Sequence, residues 1–204
     1  MKKILALGLL LVSMGWAHAQ DDVKYSLGLK NWNHTLTGPS RTSLTVNSPL
    51  VSGSIKYKDF SFTASSLLQT TYVDTNQTYV MAVRTDTDYA FGYTVLERVT
   101  LLLGSKLITS PGVKDMTGVF YGVSAFQPIN EEGYVYGTIA QSNSISNLDG
   151  LSGDGKYNLV DVGYGHVINK NTSLNIGYRQ QIMTTVVDGK YTFGGVTFGV
   201  GFNF

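Results

Sequence analysis

The last ten residues constrain this chain more than any other stretch. In Gly195-Val-Thr-Phe-Gly-Val-Gly-Phe-Asn-Phe204, Val196, Phe198, Val200, Phe202 and Phe204 alternate with Gly195, Thr197, Gly199, Gly201 and Asn203. A period of two sends successive side chains to opposite faces of a strand, so one face is large and apolar and the other small or polar. The same alternation begins at Val23, where Val23, Tyr25, Leu27 and Leu29 oppose Lys24, Ser26, Gly28 and Lys30, and it recurs along most of the chain. A fold built from such segments is a sheet whose large side chains all meet one apolar medium.

The N-terminus says which medium to expect. Met1-Lys2-Lys3, an apolar run from Ile4 to Val12 and Ala17-His18-Ala19 have the order of an export leader, with residues 1–19 removed before Gln20. The run is too short for a membrane-spanning helix, which needs about 20 residues. Cys is absent, which excludes a lipid-modified cysteine, disulfides and thiolate metal sites. Of 15 Lys+Arg, Lys2 and Lys3 leave with the leader, so 13 face 14 Asp+Glu, a net charge of −1 with no basic stripe for nucleic acid. Charged residues make up 14%, against about 25% in soluble domains. Residues 20–204 suit a single domain, and no linker divides them. Lipid leaves no partner for open sheet edges, so a membrane protein made of strands must close into a barrel.

The C-terminal stretch resembles the closing-strand signature of bacterial outer-membrane β-barrel proteins, which end on an aromatic residue preceded by apolar residues at every second position. The resemblance implies an outer-membrane location in contact with lipid. It also implies that Phe198, Val200, Phe202 and Phe204 form the signal read by the barrel insertion machinery, after which this strand pairs with the first.

Taken in order, the chain predicts an all-β transmembrane antiparallel up-and-down barrel of ten strands. Residues 33–47 read as a loop, rich in turn-formers and without period. Strand two is expected near 48–57, with Val51, Ile55 and Tyr57 out and Ser52, Ser54 and Lys56 in. Lys58-Asp59 turns the chain into strand three, where Phe60, Phe62, Ala64 and Leu68 oppose Ser61, Thr63, Ser65 and Gln69. From Tyr79 to Val95 one parity is held without a slip, which argues for one long strand over a hairpin at 84–88, because a hairpin would leave an odd strand count. Strands five and six place Leu101, Leu103, Val119, Tyr121 and Val123 outward. Strand seven, near 134–142, has tyrosines on one parity and Val135 and Ile139 on the other, and its faces stay open. Residues 143–155 read as a loop, and strands eight and nine point Val160, Val162, Tyr164, Leu174, Ile176 and Tyr178 outward. Short connections near 58, 97, 130 and 170 alternate with mostly longer ones, the usual asymmetry between periplasmic turns and outer loops. Eight strands is the alternative, if strand seven and a neighbour belong to loops.

Inward parity collects polar residues of both signs: Lys24, Lys30, Lys56, Arg84, Asp86, Asp88, Lys106, Asp161 and Arg179. Asp86 and Asp88 would suit an omptin-like surface protease, but that chemistry needs an Asp-His pair opposite them. Neither His34 nor His166 has an Asp two residues away. An ionic network across a narrow lumen is the simpler reading, since buried charge persists only when paired or wet. Pairing a Ser with His34, placed at the start of a loop, or with His166, placed outward, carries no weight without geometry. Residues 147–155 lack the order of a calcium loop, and Gly-x-Gly at 163–165 and 199–201 precedes no helix. No catalytic residue, cofactor or metal ligand is therefore assigned. The expectation is a porin-like narrow channel, passing at most small solutes, or a structural envelope protein with a polar, plugged interior. A binding protein acting through its outer loops and an outer-membrane hydrolase are the alternatives.

Overall fold

The computed structural model describes residues 23–38, 43–74, 79–111, 114–147, 155–185 and 189–204. The expected leader lies outside them. Ten strands follow in order: β1 Val23–Thr37, β2 Leu44–Tyr57, β3 Phe60–Asp74, β4 Tyr79–Leu96, β5 Val99–Thr109, β6 Met116–Pro128, β7 Gly133–Ser146, β8 Gly155–Asn169, β9 Thr172–Thr184 and β10 Lys190–Asn203. Each pairs antiparallel with its sequence neighbours, and β1 pairs with β10, closing the barrel. That seam runs from Ser26 opposite Asn203 to Thr37 opposite Thr192. It is extended by Phe204 N–H donating to Tyr25 O at 2.9 Å and Tyr25 N–H donating to Phe204 O at 3.2 Å. Ten strands therefore replace the eight-strand alternative.

The outer surface carries the apolar half of the alternation. Leu103 is 60% exposed and Phe198 55%, alongside Phe62, Phe91, Val119, Ile139, Val162 and Ile176. A monomer in water does not tolerate a continuous belt of this kind. In lipid it is the required surface of a closed barrel. Aromatic rings gather low on β3 and β4, where Phe60 lies 5.2 Å from Tyr93 and 5.8 Å from Phe91. The turn below them, Lys58-Asp59, holds Lys58 at φ 52°, the left-handed geometry favoured by tight hairpins.

Above this belt the pattern inverts. On β1 and β2, Asn31, Asn33 and Asn47 face out, where both Asn31 and Asn33 side chains donate to Asn47 Oδ1. The intervening residues Trp32, His34, Leu36, Leu44, Ser48 and Leu50 are buried inside. Residues 33–47 are thus not one loop: β1 continues to Thr37 and β2 starts at Leu44. His34 accordingly sits within a strand. The same correction applies at 143–155, where β7 runs to Ser146 and β8 starts at Gly155.

Register shifts move further residues between faces. One between Leu67 and Thr70 leaves both side chains buried in the interior, although the sequence alternation points Gln69 inward at that level; the side chain of Gln69 lies outside the described residues. Another between Ser142 and Ile145 buries both of those. Trp32, Leu36, Leu44, Leu50, Leu67, Ile108, Ile145, Tyr157, Met183 and Phe193 then form one apolar cluster inside the upper barrel. The interior is therefore not filled by modest polar side chains throughout.

Strand seven resolves with its tyrosines inside. Tyr134 donates to Asn175 Oδ1 at 3.0 Å, and Tyr136 accepts from Lys30 Nζ at 3.0 Å. Room for the rings comes from β8, since a Cβ at Gly163 or Gly165 would collide with Tyr136 or Tyr134.

Candidate functional site in the lumen

Arg84, Asp86 and Asp88 sit at every second position of β4, so one strand delivers three charges to the interior. The barrel register supplies their partners. Lys106 on β5 lies directly opposite Asp88, and Arg179 on β9 directly opposite Asp161 on β8. Arg84 grips the Asp86 carboxylate with Nε and Nη2, and Nη2 also donates to Gln181 Oε1 at 2.9 Å. Lys106 Nζ stands 2.8 Å from Asp88 Oδ1 and 3.2 Å from Asp86 Oδ2. Arg179 reaches Asp161 at 3.2 Å and Asp88 at 3.9 Å, so the network spans the lumen from β4 and β5 to β8 and β9.

Three cations meet three carboxylates, and aromatic faces cover the cations. Arg84 lies 4.4 Å from the Phe193 ring centroid, Lys106 4.5 Å from Tyr157 and Arg179 5.6 Å from Trp32. His34 stacks on Trp32 at 3.8 Å, with Nδ1 3.2 Å from Trp32 O. Arg84, Asp86, Lys106, Asp161 and Arg179 are all buried. Each carboxylate faces a guanidinium or an ammonium, which leaves no open cage of oxygens for a cation. The charges are matched and buried, and the apolar cluster shares the same upper part of the interior.

Six of the nine charged residues anticipated inside thus meet in one network. Lys24, Lys30 and Lys56 do not join it. They project toward the other end of the barrel, where Lys30 packs over Tyr136 with 4.7 Å from Nζ to the ring centroid. Trp32, His34, Tyr157, Gln181 and Phe193 complete the network without having been anticipated in it. The available signal was their parity: Tyr157 continues the inward set of Asp161, and Gln181 that of Arg179. His166 is exposed on the outward face, as its parity requires. Along β10, Phe198 and Phe204 are exposed on the apolar face, with Val200 and Phe202 half-buried between them.

Closed, antiparallel and apolar toward lipid, the chain has the fold of a Gram-negative outer-membrane β-barrel. The outer membrane protease OmpT from Escherichia coli is similar at a TM-score of 0.50 and 12% identity, over 90% of this chain and 97% of that one. Neisserial surface protein A is similar at 0.49 and 14%, over 88% and 97%. The attachment invasion locus protein Ail of Yersinia pestis, solved with a heparin analogue, is similar at 0.41 and 14%, over 90% and 99%. At such identities the likeness is one of fold. No protein-family model matches the chain, and no curated protein does.

Proposed function

We propose that this chain is a structural protein of the outer membrane, exported behind a cleaved leader, whose barrel is closed to solutes at rest. The observation that carries this reading is Lys106, 1% exposed in mid-lumen and held by Asp86 and Asp88 from an adjoining strand. A conducting path needs water along its length, and here matched charges and an apolar cluster occupy that place. Porin-like passage of small solutes then requires the network to part. Catalysis is not part of this reading. His34 is also 1% exposed, packed against Trp32, so no external substrate reaches its ring. In planar bilayers the purified barrel should give no sustained conductance, and Lys106→Gln should introduce brief steps. Steady porin-sized conductance from the unaltered protein would overturn the proposal.

A second reading, binding at the cell surface, draws on the inverted upper barrel. Polar side chains such as Asn33, Thr35, Thr45 and Asn47 decorate a rigid wall above the lipid belt, which suits contact with an external partner. Surface-display binding assays with this rim altered, the barrel still folded, test it.

A further inference from the structure

The end of the barrel away from the closed network carries a second feature. Lys24 on β1 and Lys56 on β2 are directly opposite in register, both on the lumen parity. Like charges in that position repel, and an anion bound between them would relieve the repulsion. Lys170, from the turn between β8 and β9, joins them around a pocket of about 420 Å³. Among the described residues no ion pair involves Lys24, Lys56 or Lys170. Tyr25, Asn171, Asn203 and Phe204 complete the lining, so three lysines and no Asp or Glu side chain border this pocket among the described residues. At the next pair on the same face, Ser26 Oγ and Ser54 Oγ are 2.7 Å apart, so one hydroxyl donates to the other and the second keeps its proton for a ligand in the pocket both line.

We propose that this mouth is a binding site for a phosphate oxyanion, chelated between the Lys24 and Lys56 ammoniums with Lys170 at its rim. Lysine binds phosphate as a point charge, and two lysines directly opposite in register that line one pocket are placed for one group. The oxyanion comes either from a phospholipid headgroup of the facing leaflet or from free phosphate in the adjoining aqueous compartment. The site is separate from the lumen network and does not depend on whether the barrel conducts.

The test uses the full-length exported protein, refolded in non-ionic detergent, with folding checked by heat-modifiable gel mobility. One arm titrates inorganic phosphate by calorimetry. The other measures retention of phosphatidylglycerol against phosphatidylcholine by native mass spectrometry. Saturable binding in either arm, weakened about tenfold or more in Lys24→Gln/Lys56→Gln and weakened by added salt, is the expected result. Retained phosphatidylglycerol identifies a headgroup, and binding of inorganic phosphate without it identifies the free anion. Two outcomes overturn the proposal: no saturable binding in either arm, or binding indifferent to the double variant.

Discussion

Lys106 Nζ lies 2.8 Å from Asp88 Oδ1, its direct cross-strand partner, in a place where its own side chain has no exposed surface. A lysine can stay charged there only because Asp86 at 3.2 Å and the Tyr157 ring complete its surroundings. Removing one partner of such a pair leaves the others desolvated and unmatched. Lys106→Met should therefore destabilise the barrel by about 3 kcal/mol, measured by urea unfolding in lipid vesicles. Asp88→Asn should cost less, since Asp88 retains some exposure. A loss below about 1 kcal/mol for Lys106→Met would place the network's contribution at that of an ordinary surface pair.

The lipid belt predicts a depth-dependent cost of charge. Leu103, exposed midway along the spanning part of β5, becomes expensive as arginine: Leu103→Arg should cost about 2–4 kcal/mol. Asn33→Arg, on the polar wall above, should cost about 0–1 kcal/mol. Equal penalties at the two positions in the same unfolding assay would contradict the inversion of faces.

Two glycines should respond differently to a methyl group. At Gly195, on the β1–β10 seam, an added Cβ would run into the backbone of Asn33 and His34, so Gly195→Ala should destabilise by about 1–3 kcal/mol. At Gly137 the added atom meets only Val162 Cγ1 at 3.6 Å, an ordinary contact, and Gly137→Ala should change stability by about 0.5 kcal/mol or less. Melting of folded barrels in detergent, followed by gel mobility, separates the pair.

Phe204 pairs with Tyr25 through two backbone hydrogen bonds and places its ring on the lipid face. Deleting Phe204 removes both bonds and the last aromatic of the closing strand. The folded fraction in cell envelopes should fall several-fold, while refolding of the purified chain into detergent continues. Undiminished assembly in cells would remove Phe204 from the insertion signal.

The amino-acid sequence by itself determined the inside-out half of this protein. Wherever lipid lies outside, large apolar residues must alternate with small or polar ones, as from Val160 to Gly165 or Val196 to Phe204, and a linear period of two records that. It also carried the ten-strand count, the continuity of β4 and the inward parity of Arg84, Asp86 and Asp88. Only the tertiary structure decided the upper barrel. There water replaces lipid outside and the apolar set turns inward, so Trp32, Leu36 and Leu44 break the phase of the pattern and the segment reads as a loop. It also decided which charges meet, because Lys106 reaches Asp88 and Arg179 reaches both Asp88 and Asp161 through register and closure around the cylinder. Parity along a strand is local and survives in sequence; height along the barrel and the partner across it arise only once ten strands are staggered and joined.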